Sequence, residues 1–431
     1  MGLGEEQRTP LRSSDQVLEL MAQHARQARE DRTWERQMRR RQIAAGIAVL
    51  ALLLGSITYV VRVRSSGGDA AALNPVSPSA SAPAASADRS AASAPVTPSA
   101  SPSASAGTSS TGPPGPTAVA SQGTSMYGAP RSGLSWHSGI WTGGQITAAH
   151  TNQAGSWRGT PMDFATVYPA YGSWAEIRQS TWTVTNFARF RGRLSYGLPL
   201  LPKNRKGQWQ DILNGSHDET FRGIARLLIA NGHEDAAIRM GVEANGYWFP
   251  WAVTVDTVDE YRAAFRRIEK IMSAESDAFT FWVDLNCGTV LTGSTDRLAP
   301  LHQMYPGDDV VDGISMDHYN RFKLLAADEA SWKRAIAPSW APGLKDGVNF
   351  ARQHGKGFAV SEWGLDGVQG PGDSPFFMQK MFTFFTENQD VLVYENYFSE
   401  PDPYIAGDLF QTSQNPRSAA LYRKLWGRAS D

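Results

Sequence analysis

The sequence predicts a (β/α)8 TIM barrel, preceded by a single transmembrane helix and a disordered linker. Two observations predict the barrel: apolar runs alternate with helical patterns beyond residue 127, and polar residues directly follow several of these runs. An open doubly wound sheet would show a similar alternation, but the chain has no GxGxxG or P-loop motif to support it. The eight predicted strands are residues 138–143, 162–168, 194–201, 236–243, 279–286, 311–317, 357–362 and 391–398.

The N-terminal part predicts a membrane anchor. Residues 1–42 are polar and charged, whereas residues 43–61 are an uncharged apolar run, long enough to cross a hydrocarbon core of about 30 Å as a helix. A signal peptide would have a shorter apolar core closer to the N-terminus, so we expect a retained span. Arginines are denser before the run than after it: Arg36, Arg39, Arg40 and Arg41 against Arg62 and Arg64. We therefore expect the protein to lie in the cell membrane, with a cytoplasmic N-terminus and an extracellular C-terminal domain.

Residues 62–126 form the predicted linker. They are nearly all Ala, Ser, Pro, Thr and Gly, and this composition does not bury enough apolar surface to offset the entropy of ordering. Thirteen of the 14 tryptophans follow residue 127, which marks where a packed core begins. Residues 127–431 are therefore the predicted barrel domain, because a barrel of this kind needs roughly 250 residues.

Charge and cysteine content exclude several classes of protein. The formal net charge is −1, so no overall basic field gathers nucleic acid, and no nucleic-acid partner is expected. The chain has one cysteine, Cys287, which excludes an intrachain disulfide and predicts a small buried side chain. The sequence has no Cys/His cluster, which speaks against a structural zinc site. The predicted chemistry requires neither a metal nor an organic cofactor.

Four helices carry start signals in the sequence. Two have a hydroxyl side chain three residues before a glutamate, which is the spacing of a capping box. Two others have a capping residue followed by proline at the first helical position, and the last helix is expected to end at Gly427. The four pairs are Ser216 with Glu219, Thr257 with Glu260, Ser374 with Pro375 and Asn415 with Pro416.

Two glutamates stand where apolar runs break into glycine and tryptophan. Glu243 lies in GVEANGYWFPW and Glu362 in AVSEWG, on separate predicted strands. Cleavage of a glycosidic bond with retention needs one carboxyl as proton donor and another as nucleophile, roughly 5 to 5.5 Å apart. In a TIM barrel the ends of distant strands meet at one face, so this layout predicts a glycosidase. Apolar walls from Trp248 and Trp251 would favour a protonated Glu243.

These segments resemble glycoside hydrolase family 26, whose members are retaining TIM-barrel enzymes best known as β-mannanases. Arg239 and the segment Glu243-Ala-Asn245-Gly246-Tyr247-Trp248 are similar to the family's acid/base segment, and Ser361-Glu362-Trp363-Gly364 to its nucleophile segment. The resemblance implies that Glu243 is the acid/base, that Glu362 is the nucleophile and that Tyr319, in Asp317-His318-Tyr319, hydrogen-bonds the nucleophile. The implied partner is a β-linked polysaccharide, cleaved internally.

One position departs from the family pattern. Val242 stands where the family has histidine immediately before the acid/base glutamate, which puts mannose specificity in doubt more than catalysis. A non-catalytic glycan-binding barrel of the cell envelope is therefore the alternative function. Metal-dependent deacetylase or esterase chemistry is a third, but the sequence lacks a metal-ligand cluster and a GxSxG elbow.

The candidate substrate-binding residues follow the strand ends, and each has a structural explanation beside the functional one. Tryptophans also pack barrel cores, and a buried arginine is as often an ion-pair partner as a site residue. Sugar stacking is favoured over packing for Trp248, Trp251 and Trp363, with Trp248 as the first choice. Tyr319 is favoured as functional. The full set is Arg239, Asn245, Trp248, Trp251, Asn286, Asp317, His318, Tyr319 and Trp363.

Overall fold

The computed structural model describes residues 122–143, 146–412 and 414–427. The predicted tail at 1–42, the predicted span at 43–61 and most of the predicted linker lie outside these ranges. Helix α1, Gln122–Tyr127, covers the last residues predicted as linker. Within the described ranges, no helix combines the length and apolarity needed to cross a membrane.

Eight parallel strands close into one barrel in chain order, with β1 paired to β8. All eight strands predicted from the apolar runs are present, so the barrel prediction is confirmed. The strands are β1 His137–Trp141, β2 Phe164–Val167, β3 Arg193–Leu198, β4 Ala237–Met240, β5 Thr280–Asn286, β6 Gly313–Asn320, β7 Gly357–Leu365 and β8 Leu392–Phe398.

Helices connect successive strands and bury one face against the barrel. In the helix Val258–Ser273, for example, Tyr261, Phe265, Ile268 and Met272 are buried at helical spacing. After α1, the helices of the described part are α2 Ala148–Arg158, α3 Trp174–Gln179, α4 Trp182–Thr185, α5 Gln210–Leu213, α6 Asp218–Ala230, α7 Val258–Ser273, α8 Ala299–His302, α9 Glu329–Ile336, α10 Leu344–His354, α11 Pro375–Glu387 and α12 Pro416–Trp426.

The predicted helix caps are confirmed only in part. Ser374 caps α11, since its hydroxyl accepts a hydrogen bond from the Phe377 N–H at 3.3 Å. The two predicted capping boxes are wrong: α6 is preceded by His217 rather than Ser216, and the Thr257 hydroxyl accepts from the Thr254 N–H instead of capping α7. Helix α12 begins at Pro416 and ends before Gly427 as predicted, although the preceding residue makes no side-chain cap.

The interior of the barrel changes from aromatic to polar along the strands. At the end where the strands begin, Phe164 stacks on Tyr394 with ring centroids 4.5 Å apart, and Trp282 meets Tyr394 edge-on at 5.0 Å. Tyr127 of α1 closes this end, with its hydroxyl hydrogen-bonded to Thr280. This packing leaves the carboxyl ends of the strands for the polar side chains, as in other barrels of this kind.

Strand β7 contains an irregularity that decides which side chains face the interior. Ser315 pairs with Ala359 but Asp317 pairs with Glu362, so β7 has one extra residue between these positions. Ser361 and Glu362 consequently both point inward: the Ser361 hydroxyl lies 2.7 Å from that of Tyr394, and Glu362 contacts Arg239. The next residue, Trp363, faces outward.

Candidate active site

Arg239, at the end of β4, is the centre of a buried charged cluster. Its Nε donates to Asp284 Oδ2 at 2.6 Å, and its Nη2 donates to Asp317 Oδ2 at 2.7 Å and to Glu362 Oε1 at 2.8 Å. Its Nη1 donates to the Tyr168 hydroxyl at 3.0 Å. The guanidinium is fully buried, and a buried charge is tolerated only when it is paired and hydrogen-bonded in this way.

Glu362 is held as a carboxylate. Besides the contact with Arg239, its Oε2 accepts a hydrogen bond from the Tyr319 hydroxyl at 2.9 Å. Burial opposes ionisation, but the charge of Arg239 and hydrogen bonds from Tyr168 and Arg239 outweigh it and hold the pKa of Glu362 below its usual value. The Tyr319 contact implied by the family resemblance is therefore present.

Glu243 has the opposite environment. Its Oε2 accepts from Trp248 Nε1 at 2.7 Å and its Oε1 from Asn286 Nδ2 at 2.5 Å, and both donors are neutral. Burial, followed by the negative charge of Glu362, raises the pKa of Glu243 to about 7, against the lowering effect of the Asn286 hydrogen bond. This carboxyl therefore carries a proton over part of the neutral range.

The backbone at Glu243 is strained. Its φ of 47° lies in the left-handed region, which residues other than glycine rarely adopt. Asp284 Oδ1 accepts a hydrogen bond from the Glu243 N–H at 2.7 Å and so supports this conformation. Strain of this kind persists where the surroundings over-determine a conformation, and it clusters at functional sites.

Asn245 supports the site without facing a substrate. Its Nδ2 donates to the carbonyl oxygens of Asn286 at 3.0 Å and Thr289 at 2.9 Å, and its Oδ1 accepts from the Asn286 N–H at 2.8 Å. These three bonds join the loop after β4 to the end of β5. The role of Asn245 is to position Asn286, whose side chain holds Glu243.

Two predicted substrate-binding residues lie away from the site. His318 and Trp363 are fully buried on the outer side of the barrel. His318 stacks on Phe377 with centroids 5.9 Å apart, and burial lowers its pKa to about 3, so it is neutral. Trp363 stacks on Trp426 at 5.4 Å. The expectation that these two side chains contact a sugar is corrected, because their strand positions alternate outward.

Two residues of the cluster are absent from the predicted set. Asp284 bridges Arg239 and the Glu243 backbone, and Tyr168, just after β2, contacts Arg239. Asp284 lies on β5 two residues before Asn286. Because residues two apart in a strand face the same side, the sequence could have indicated that Asp284 points to the site together with Asn286. Asp317 was predicted as a substrate contact, but its Oδ2 instead accepts from Arg239. Burial raises the pKa of Asp317 well above its usual value.

A pocket opens beside the two glutamates. It has a volume of about 250 Å³, and both Glu243 and Glu362 line it, each only 8% exposed. Trp251 forms part of its wall, stacked on Phe249 at 4.7 Å, with its Nε1 donating to the Val242 carbonyl at 2.8 Å. Otherwise the walls come from Tyr168, Pro169, Tyr171, Gly197, Pro199, Val242 and Phe398.

The described residues contain no group of three or more His, Cys, Asp or Glu side chains arranged to hold a metal ion. The pocket itself presents two carboxyl groups in contrasting environments, with aromatic and aliphatic side chains beside them.

No protein-family model matches the chain. Among curated proteins, a segment of 115 residues is 40% identical to Endoglucanase H of Acetivibrio thermocellus, covering 26% of this chain and only 12% of that protein. Among solved structures, the catalytic domain of a family 26 endo-β-1,4-mannanase from Bacillus sp. JAMB-750 is similar, with a TM-score of 0.51, 16% identity and coverage of 72% of this chain and 91% of that one.

A modular family 26 endo-β-1,4-mannanase from Cellulomonas fimi is similar with a TM-score of 0.50 and 18% identity, over 73% of this chain and 75% of that one. At these identities the likeness establishes the fold. The barrel of this chain is thus of the kind found in family 26 glycoside hydrolases, and the resemblance drawn from its sequence segments is confirmed at that level.

Proposed function

We propose that this chain is a retaining glycoside hydrolase that cleaves internal bonds of a β-linked polysaccharide. The observation that carries the proposal is that two carboxyl groups lining one pocket have pKa values shifted in opposite directions. The pKa of Glu243 is raised to about 7 while that of Glu362 is lowered. One proton donor and one anionic nucleophile are what double displacement needs.

In the first step, Glu362 attacks the anomeric carbon of the sugar beside it. The bond to the leaving oxygen breaks, and Glu243 donates its proton to that oxygen. Tyr319 and Arg239 hold the attacking carboxylate in place through hydrogen bonds of 2.9 and 2.8 Å. The product of this step is a glycosyl ester on Glu362.

In the second step, Glu243 removes a proton from a water molecule, which attacks the same carbon and releases Glu362. The pKa of Glu243 suits this double role, because a group that titrates near the working pH is both a competent acid and a competent base. Two displacements restore the original anomeric configuration.

The type of substrate is supported by the relatives. The similar structures are described as endo-β-1,4-mannanases and the curated relative as an endoglucanase, so a β-linked glycan main chain is the proposed substrate class. The N-terminal sequence supports a location at the cell membrane, with residues 43–61 as anchor and the barrel outside, acting on envelope or exported glycans.

The test is product release by the full chain from β-mannan, β-glucan and xylan, with Glu243→Gln and Glu362→Gln alongside. We expect each variant to lose at least about a thousandfold in kcat/KM, because each removes a group that acts in the bond-breaking step. Azide should restore turnover to Glu362→Ala with inverted configuration, because the shortened side chain leaves room for azide to attack in place of the carboxylate. Glu387→Gln, at an exposed position at the end of α11, is the matched control.

Retention is read directly from the anomeric configuration of the first product by NMR. An inverted product from the parent chain, or full activity in either glutamine variant, would overturn the mechanism. Glycan binding that survives both substitutions, with no product from the parent chain, would instead establish the glycan-binding barrel.

A further inference from the structure

Arg321, directly after β6, is a cation whose hydrogen-bond donors are unused within the described part of the chain. Its guanidinium makes no side-chain hydrogen bond there, and the nearest carboxylate oxygen, Asp366 Oδ2, lies 3.7 Å from Nη1. By comparison, Arg352 donates hydrogen bonds of 2.9 and 2.7 Å to the two oxygens of Asp390. The Arg321 side chain is 29% exposed, so its donors are accessible to a ligand in solvent.

Two aromatic rings hold this guanidinium in place. Its Cζ lies 4.8 Å from the centroid of the Tyr319 ring and 5.7 Å from that of the Phe322 ring. Phe322 is 64% exposed and has a φ of 48°, so core packing does not explain its strained backbone. Its N–H donates to the Gln369 carbonyl at 3.2 Å, which ties the turn to the loop after β7. The planar donors of Arg321 are therefore pre-organised.

The Arg321 guanidinium lies close to the two reacting carboxyls. Tyr319, on which it stacks, donates its hydroxyl to Glu362 Oε2 at 2.9 Å. Burial and the charge of Glu362 raise the pKa of Glu243, whereas the Asn286 hydrogen bond and the charge of Arg321 lower it. A group bound by Arg321 would therefore be carried by the same glycan that lies across the two glutamates.

A second cation, Lys323, extends this surface. Lys323 is exposed, and its ammonium lies 5.8 Å from the centroid of the Trp340 ring. Trp340 is 37% exposed, and its indole N–H donates at 3.2 Å to the carbonyl of Gly288, two residues after the end of β5. The formal net charge of the chain is −1, so attraction of an acidic glycan would depend on these local cations rather than on the overall field.

We infer that Arg321 binds a carboxylate on the glycan, and that the substrate is an acidic β-linked polysaccharide. The inference rests on the proposed function, since it names the substrate class of the same site. A carboxylate fits because its two oxygens accept two parallel N–H bonds from one guanidinium. The carboxylate belongs to a uronic acid or to a pyruvate ketal, which share this chemistry.

Asp366 offers a structural role for Arg321 that has to be separated from carboxylate binding. Asp366 is fully buried, and its Oδ1 accepts from the backbone N–H groups of Val368 and Gln369 at 2.8 and 2.7 Å. Its Oδ2 has no hydrogen bond within the described residues, so the charge of Arg321 at 3.7 Å stabilises it through space. A purely structural role would affect acidic and neutral glycans equally.

The test compares acidic glycans with the same glycans after reduction of their carboxyls. Glucuronoxylan and xanthan are used before and after treatment with carbodiimide and borohydride, which converts carboxylates to neutral hydroxymethyl groups. Xanthan freed of its pyruvate ketals by mild acid forms a third arm, which distinguishes a ketal from a uronic acid. The readout is the preference, defined as kcat/KM for the acidic form divided by kcat/KM for the reduced form.

We expect the full chain to prefer the acidic form, and Arg321→Gln to lower this preference by about 10- to 150-fold, the range for a hydrogen bond to a charged group. Arg321→Lys should keep part of it, because the charge remains but the planar fork is lost. Arg321→Gln combined with Asp366→Asn should show the same loss without leaving a buried carboxylate unpaired. Arg334→Gln, at an exposed position on α9, is the matched control and should keep the preference.

Binding is measured in parallel by tryptophan fluorescence on Glu362→Ala protein, so that the glycan is not consumed. Cleavage with no preference for the acidic form would overturn the inference and leave the hydrolase proposal standing. Binding of the acidic form that depends on Arg321, with no cleavage by the parent chain, would overturn the hydrolase proposal and support the carboxylate site. Equal loss on acidic and reduced forms in both Arg321→Gln proteins, or no binding of any probe, would count against the inference.

Discussion

Strand β7 and the loop after β4 present two glutamates that are equally buried, 8% exposed each, yet their pKa values are shifted in opposite directions. On β7, Glu362 accepts hydrogen bonds from a guanidinium and a phenol. After β4, Glu243 accepts hydrogen bonds from an indole and an amide, and both of these donors are neutral. Burial alone raises the pKa of both carboxyls, so the charge of the partners decides which one stays ionised.

The comparison also explains why Arg239 is buried at a point with four acidic groups around it. One cation cannot neutralise all of them, and it contacts Glu362 but not Glu243. The difference between the pKa values of the two glutamates therefore follows from the direction in which β4 points the Arg239 side chain. Four predictions test this comparison, in order of the expected loss of activity.

Replacing Arg239 with methionine should abolish the difference between the two glutamates. Without the cation, three buried carboxyls lose their partner, so we expect a loss of about 3–5 kcal/mol in the free energy of unfolding at neutral pH and of nearly all activity. The stability deficit should shrink as the pH falls and these carboxyls take up protons. Urea unfolding at pH 7 and pH 5 measures it.

Arg266→Met is the matched control, since the ion pair of Arg266 with Asp309 is exposed and should contribute about 0–1 kcal/mol. A loss in Arg239→Met no larger than in this control would contradict the account of the cluster.

Replacing Tyr319 with phenylalanine should weaken the hold on Glu362 without disturbing Glu243. The lost hydrogen bond of 2.9 Å goes to a charged acceptor, for which about 1.5–3 kcal/mol is typical, equivalent to roughly 10- to 150-fold in kcat/KM. Steady-state kinetics check this, with Tyr305→Phe as a control because the hydroxyl of Tyr305 contacts exposed Asp308 instead. Equal kinetics in the two variants would show that the Tyr319 contact is not needed.

Activity should fall as the pH rises through about 7, because Glu243 must be protonated to donate to the leaving oxygen. The Asn286 hydrogen bond stabilises the ionised form, so Asn286→Ala should raise the pKa of Glu243 and move this basic limb upward by about one pH unit. The acidic limb, set by Glu362 below its usual pKa, should stay in place. A downward shift of the basic limb in the kcat/KM profile would refute the assignment.

Replacing Trp363 with phenylalanine should leave kcat within about twofold and lower stability by roughly 1–3 kcal/mol, since the indole N–H donates to buried Glu395 and the ring packs on Trp426. Trp248→Phe, which removes a donor from Glu243, should do the reverse and lower kcat. Thermal unfolding and turnover of the pair separate the two roles. A large drop in kcat for Trp363→Phe would show that Trp363 contributes to catalysis and contradict its assignment to core packing.

Much of the fold was predictable from the chain alone. Alternating apolar runs and helical patterns identified all eight strands, because burial on both faces of a parallel strand produces a continuous apolar run. The same runs placed Glu243 and Glu362 at strand ends, where barrel chemistry is found. Helix starts were less predictable: the Thr257 hydroxyl bonds to Thr254, a contact that depends on how its loop folds.

The sequence by itself determined the barrel, the identity of the two carboxyls and the aromatic residues near them, because these depend on local pattern and residue type. Only the tertiary structure decided which neighbours face the pocket. The extra residue in β7 turns both Ser361 and Glu362 inward and Trp363 outward, and it is defined by pairing with β6 rather than by any feature of β7 alone. The same holds for Tyr168 and Asp284, since their contacts with Arg239 join residues far apart in the chain, which meet only when the strands pair side by side in the barrel.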